Sequence, residues 1–264
     1  MNRVSILLLI LLLFIPALQS EGIEDLFKTA SLWQVGDNKT KVDDARNTLA
    51  AMGSESLQWI WNNIASGKIS SLQWRAVVSI FQGNDDAASF IKDKFASDRD
   101  NDVYLRILIS LSVKLKLNDN IDLIKEQLKN KDLAFTAFSA LVGLGYTPTE
   151  RELIEVLALD TEHKKGISML SSCGKTPKLK LLMICINEYK VEDSPLLYWA
   201  AVNSLKYFSL KMLINENVPQ KMIVDTFFLS EERSPALIEY FEGLKNSKNS
   251  NIRIKVQKYL VNSE

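Results

Sequence analysis

A chain of 264 residues with 32 basic and 32 acidic side chains carries no formal net charge, so it lacks the basic excess with which nucleic-acid binders meet phosphates. Its 47% hydrophobic content is ample for a core. Its single histidine, His163, excludes any metal site that needs two.

The N-terminus has the three-part layout of a secretory signal peptide. Met1-Asn2-Arg3 is a short positive start, Val4 to Ile15 is apolar apart from Ser5, and Pro16 breaks the run before Leu18-Gln19-Ser20 and Glu21. A retained membrane anchor is the alternative, but a span needs about 20 apolar residues and this run is shorter. No cysteine follows it, which disfavours a bacterial lipoprotein. The expectation is cleavage of residues 1–20, export to a periplasmic or secreted location, and no transmembrane segment in the remaining 21–264.

Beyond that segment the spacing of apolar residues predicts helices throughout and essentially no sheet. Tyr104, Ile107, Leu108, Leu111 and Leu115 form one stripe on a 3.6-residue period, as do Leu237, Tyr240, Phe241 and Leu244, and Ile252, Val256, Tyr259 and Leu260. A helical phrase returns along the chain. It reads Ala45-Arg46-x-x-Leu49-x-x-Met52-Gly53, then Trp74-Arg75-Ala76 running to Phe81-x-Gly83, then Tyr104-Leu105-Arg106, then Phe135 to Gly145, then Ile167 to Gly174. Gly53 and Gly83 are 30 residues apart, Gly83 and Gly145 are 62, and Gly145 and Gly174 are 29. A period near 30 in a helical pattern means stacked helix pairs.

The punctuation agrees. Gly53, Gly83, Gly145 and Gly174 follow apolar stripes, where a left-handed C-terminal residue suits glycine. Thr147-Pro148-Thr149-Glu150, Thr176-Pro177, Ser194-Pro195 and Ser234-Pro235 read as helix starts, with a hydroxyl cap and a proline that forfeits no hydrogen bond. Asp85-Asp86 and Asp119 also favour N-termini. Eight units result, roughly 21–53, 54–83, 84–116, 117–145, 146–174, 175–208, 209–230 and 231–264, as one continuous domain. The seventh is short: Asn215-Glu216-Asn217-Val218-Pro219 breaks it early, leaving its first helix about two turns.

Asp102-Val103-Tyr104-Leu105-Arg106-Ile107, Asn249-Ser250-Asn251-Ile252-Arg253-Ile254-Lys255-Val256 and Asp43-Asp44-Ala45-Arg46-x-x-Leu49 put an acid or amide, then an arginine, at the head of a second helix. This resembles the HEAT repeat, close to the HEAT-like variety common in bacteria. Units five to seven depart from it, with Gly166 and Ala200 near the arginine's place. The resemblance implies an all-α chain, an α-solenoid of about seven to eight antiparallel helix pairs. It also implies that Arg46, Arg106 and Arg253 bind turn acids or the neighbouring unit. Such solenoids commonly bind other macromolecules, so the implied partner is a protein or peptide.

Candidate chemistry is sparse. His163 lies in a charged stretch, Asp160 to Lys165, with no nucleophile motif around it. Asp98-Arg99-Asp100-Asn101-Asp102 has the alternating acids of a calcium loop, but Val103 and Ile109 stand where glycine and a bidentate glutamate are needed. It reads instead as the acidic turn before a helix. Glu150, Glu152 and Glu155 complement a helix dipole. No phosphate loop or GxSxG occurs. No catalytic residue, cofactor or metal is therefore expected.

Two features bear on binding. Trp59 and Trp61 are two apart on one helix, hence about 200° apart around it, so one faces a neighbouring unit or the surface. Lys245, Lys248, Arg253, Lys255 and Lys258 have no acid between them; a solvated terminal cap or an acidic partner accounts for them. Trp59, Trp61, Lys248, Arg253, Lys255 and Lys258 are the candidate partner-binding residues. Cys173 and Cys185 are the two cysteines. With a helix starting at Thr176-Pro177, Cys185 would sit roughly 12 Å up it, while a disulfide needs Cα atoms within about 7 Å. That disfavours a bond and leaves two small buried apolar residues.

The expected function is that of an exported, non-catalytic interaction module or scaffold. The alternatives are an accessory component of a cell-envelope assembly docked through its C-terminal cap, and an enzyme with a groove site.

Overall fold

The computed structural model describes residues 22–64, 69–230 and 232–261. The signal-peptide reading of 1–20 lies outside them. Among the described residues every regular element is helical and no strand occurs. None of these helices is long and apolar enough to cross a membrane.

The helices are α1 (residues 22–30), α2 (Asn38–Ala51), α3 (Ser54–Ile64), α4 (Ser71–Gln82), α5 (Ala87–Ser97), α6 (Asp102–Leu115), α7 (Ile121–Glu126) and α8 (Ala134–Gly143). They continue as α9 (Glu150–Leu157), α10 (Gly166–Gly174), α11 (Leu179–Glu188), α12 (Pro195–Leu205), α13 (Leu210–Asn215), α14 (Gln220–Ser230), α15 (Pro235–Gly243) and α16 (Ser250–Val261). Helices follow one another in short succession with turns between them, and α13 has only 6 residues. The chain divides into two compact units, Met1–Leu123 and Ile124–Glu264.

In the first unit α2 packs on α4 and α4 on α6, while α3 packs on α5. Leu49, Leu57, Ile60, Ile80, Phe81, Ile91, Leu105 and Leu108 are fully enclosed between them. Polar side chains tie one layer to the next. Buried Asn84 donates to the carbonyls of Ala50 and Gly53, both at 2.9 Å, occupying acceptors that the end of α2 leaves without helical partners. The Trp61 indole N–H donates to Asp98 at 3.1 Å, and its ring meets Phe90 and Tyr104 edge-on.

Two of the arginine fasteners, Arg46 and Arg253, differ from expectation. Buried Arg46 gives its Nε–H to the Ala30 carbonyl at 3.0 Å and an Nη1–H to Gln34 Oε1 at 2.9 Å. Gln34 in turn donates to Asp43. The turn acid is thus reached through an amide relay, and the arginine itself caps the end of α1. Arg253 likewise donates to a backbone carbonyl, that of Ser247 at 2.9 Å.

In the second unit α8, α10, α12, α14 and α16 pack each on the next, and α9 packs on α11. The Thr149 capping box with Glu152 opens α9. The Ser-Pro starts of α12 and α15 cap as read, with Ser194 and Ser234 each accepting an amide N–H. Thr176-Pro177 does not start a helix: the Thr176 hydroxyl donates to the Cys173 carbonyl at 2.7 Å and α11 begins at Leu179. This later start shortens the climb to Cys185 to about 9 Å, and its sulfur stands 3.3 Å from that of Cys173. Both cysteines are buried, as expected, but they are neighbours.

Two of the four helix-end glycines adopt the left-handed conformation, Gly53 at φ 60° and Gly145 at φ 83°. Gly83 and Gly174 do not, and are there for close approach. A Cβ on Gly174 would stand 2.7 Å from Ser204 Cβ and 3.1 Å from its Cα, so α12 runs against bare backbone of α10. At the other end of α10, a Cβ on Gly166 would meet Leu197 Cδ2 at 2.8 Å. The arginine that the repeat pattern places near Gly166 has no room there.

Gly174→Ala should therefore destabilise the chain by about 1–3 kcal/mol, because overpacking against backbone outweighs the ~0.5–1 kcal/mol gained in helix propensity. Gly166→Ala should cost less, since the end of the Leu197 side chain can swing aside. Urea unfolding followed by circular dichroism checks the order; equal or greater stability of Gly174→Ala contradicts the close-approach account.

Candidate functional site

The second unit carries a groove of about 470 Å³ over α12, α14 and α16, lined by Glu192, Pro195, Tyr198, Trp199, Lys221, Asp225, Asn251, Ile252, Ile254 and Lys255. Local sequence explains the lining. Ser194-Pro195 starts α12, so Tyr198 and Trp199 fall in its first turns, about 100° apart around the helix. Tyr198 turns inward and is buried, while Trp199 is 41% exposed. On α14, Lys221 and Asp225 are four apart and share a face with Phe228. On α16, Ile254 and Lys255 follow Asn251 by three and four residues, and Lys258 continues the row.

Asp225 organises the base. It is 2% exposed, and a carboxylate so enclosed needs hydrogen-bonded or ionic partners. Its Oδ2 accepts the Tyr198 hydroxyl at 2.6 Å, and its Oδ1 pairs with the Lys255 ammonium. Burial, and then the bond to Asp225, push the Tyr198 phenol well above the ordinary tyrosine range. Lysines meet the aromatic walls. Lys221 Nζ lies 4.5 Å from the Tyr198 ring centroid, Lys255 Nζ 5.6 Å from that of Trp199, and Lys258 Nζ 5.8 Å from that of Phe228. Ile254 at 61% and Trp199 at 41% exposure are large apolar groups presented on the same groove. A surface of this kind can take an apolar side chain against Trp199 and Ile254 and an anionic group at the rim. Its one buried carboxylate, Asp225, has both oxygens occupied, and Glu192 is an exposed carboxylate at its edge.

The chain matches no family model, no curated protein and no solved structure.

The candidates read from sequence separate clearly. Lys255 is in the groove and Lys258 beside it. Lys248 is exposed in the turn before α16, and Arg253 is engaged with Ser247, both outside the lining. Trp61 is 3% exposed and half-buried Trp59 packs its ring 5.6 Å from Phe27. Both tryptophans are thus packing residues, and Trp61 in particular presents nothing to a partner. Asp98 accepts from Trp61, and Asn101 caps α6 through Val103 and Tyr104 amides, which fits an acidic turn. Among the described residues no cluster of metal-ligating side chains occurs. His163 is exposed at φ 55°, its ring edge-on to Tyr189.

Tyr198, Trp199, Lys221 and Asp225 were not read from the sequence. Two signals point to Tyr198, Trp199 and Asp225, and none to Lys221. Adjacent aromatics on one helix cannot both face the core, the same angular argument that applies to Trp59 and Trp61. And Asp225 is a lone charge in Met222-Ile223-Val224-Asp225-Thr226-Phe227-Phe228, an otherwise apolar stretch, where a charge demands a partner.

The Tyr198 phenol gives a pH dependence. Its folded pKa is raised, so its contribution is complete below the unfolded value near 10 and is lost as pH rises above it, at up to about 1.4 kcal/mol per pH unit. Tyr198→Phe should lower stability at neutral pH by about 1.5–3 kcal/mol, the cost of a hydrogen bond to a charged group. It should also show a shallower alkaline decline. Urea midpoints from pH 8 to 11 test both; parallel curves for the two proteins would refute the assignment.

Proposed function

We propose that this chain is an exported, non-catalytic interaction module, a HEAT-like α-solenoid that holds a segment of a partner protein in the groove over α12, α14 and α16. The solenoid reading is supported by the stacking of alternate helices within each unit, the eight helix pairs along the chain, and buried side chains such as Asn84 and Asp225 that tie one layer to the next. Repeats of this kind bury their apolar faces only against their neighbours, leaving a continuous surface for binding.

The observation that carries the binding reading is the exposure of Trp199 and Ile254 together in a groove whose base is closed by Tyr198, Asp225 and Lys255. Tryptophan is a favoured interface anchor. The occupant this chemistry fits is a peptide segment bringing one apolar side chain to Trp199 and Ile254 and a carboxylate to Lys221. Among the described residues neither Lys221 nor Lys258 forms an ion pair, which favours an acidic over a basic partner. The occupation of both Asp225 oxygens supports a non-catalytic role. The alternative, docking of an envelope component through the C-terminal cap, draws support from α16, which supplies Ile254 and Lys255 to the same groove.

Crosslinking mass spectrometry on the full chain in the cells that make it tests the reading. A reproducible partner should crosslink at Lys221, Lys255 or Lys258. Trp199→Ala should weaken that partner's binding roughly 30-fold, the effect of losing an anchor worth about 2 kcal/mol. Recovery of no reproducible partner, or binding unchanged by Trp199→Ala, would overturn it. Crosslinks confined to Lys245 and Lys248 in the turn before α16, with none at Lys221, Lys255 or Lys258, would favour the cap.

A further inference from the structure

The chain's two cysteines meet in the core of the second unit. Cys173, next to the end of α10, and Cys185, midway along α11, place their sulfurs 3.3 Å apart, and both residues are wholly buried. Two sulfurs at that separation are in van der Waals contact, and must approach by only a little over 1 Å more to reach the ~2.05 Å of a disulfide bond. Nothing else uses them: among the described residues no metal-ligating cluster includes either one.

We propose that Cys173 and Cys185 are a covalent modification site, a dithiol that closes into a disulfide stapling α10 to α11. The inference does not rest on the binding reading above. It carries a structural consequence. α10 lies against α12 at bare glycine backbone, at Gly166 and Gly174, and the Thr176 hydroxyl already ties the connecting turn back to the Cys173 carbonyl. The staple would join the third member, α11, to this pair. It closes a loop that keeps the turn in place and limits the freedom of the unfolded chain.

The chemistry is thiol–disulfide exchange with an external disulfide, either a small molecule such as glutathione disulfide or a protein disulfide. One cysteine thiolate attacks a sulfur of the external disulfide, forming a mixed disulfide and expelling one thiolate. The second cysteine thiolate attacks the protein sulfur of that bond and expels the other. The two cysteines are oxidised by two electrons, the external disulfide is reduced to two thiols, and the two cysteine protons pass to the departing thiolates. The hydrogen bond shared with Cys173, together with burial, raises the Cys185 thiol well above the ordinary range, and the thiolate is the nucleophile. Exchange is therefore fast while the chain folds and slow once the core has closed.

The test uses the full chain refolded from denaturant in a buffer of reduced and oxidised glutathione, with a second sample kept in reductant. After denaturation and alkylation without reductant, trypsin cuts at Lys175, Lys178 and Lys180, between the two cysteines. The proposal expects the Cys173 and Cys185 peptides as one linked species that separates on reduction. It also expects a Tm for the oxidised sample about 5–10 °C above the reduced one, and slow oxidation of the folded chain that quickens in mild urea. The double variant Cys173→Ser/Cys185→Ser should lose both the linked species and the Tm response to redox buffer. Recovery of both peptides singly and alkylated, capture of glutathione adducts alone, or an oxidised chain no more stable than the reduced one would each overturn the proposal.

Discussion

The longest helices described here have 14 residues, and an isolated helix in water is marginal below about 12–15 residues even with a favourable sequence. Most are shorter, and α13 has only 6. What holds them is therefore not hydrogen bonding along each helix but the burial of apolar faces against neighbouring helices, both the adjacent one, as α10 on α11, and the next but one, as α10 on α12. Leu49, Ile80 and Leu108, on α2, α4 and α6, are all fully enclosed, because each helix supplies part of its neighbour's interior.

Apolar stacking alone does not set where along one helix the next one sits. The buried polar side chains do that. Asn84 reaches two carbonyls at the end of α2, Trp61 reaches Asp98, Tyr189 reaches Asp160 and Tyr198 reaches Asp225. Each is satisfied only at one sliding position, and an enclosed polar group left without its partner costs about 1–3 kcal/mol. The fasteners differ from layer to layer in residue type, which fits the loss of the arginine phrase between Arg106 and Arg253.

This distinction also governs what could be read in the chain before its structure. Helix content, the ends at Gly53 and Gly145, and the Ser-Pro starts at Ser194 and Ser234 depend on residues within a few positions, and local pattern reveals them. The roles of Gly83 and Gly174 depend on what presses against them, Ala50 and Ser204 respectively, 33 and 30 residues away. Arg46 shows the same limit. It was legible as a helical residue, although it lies in the middle of α2 rather than at its head, and its partners, the Ala30 carbonyl and Gln34, follow from how α1 ends. For the cysteines an error of two or three residues in the start of α11 changed a remote pair into a contact. In the groove, Lys255 was legible as part of a basic run, whereas Asp225 was hidden in an apolar stretch whose single charge was its own signal.

The groove inherits its rigidity from the same packing. One face of α12 lies against α10 with two glycines at the interface, where there is no side chain to repack. Its neighbour α14 is tied to it by the Tyr198–Asp225 bond, and α16 is tied to α14 by Lys255. All three walls are thus tied to one another within the chain. A preformed site avoids the cost of about 0.5–1.5 kcal/mol for each long side chain ordered on binding. The exposed Trp199 ring, backed by Tyr198 and flanked by Lys255, is held on the most constrained helix of the unit, and an anchor gains most from being held still.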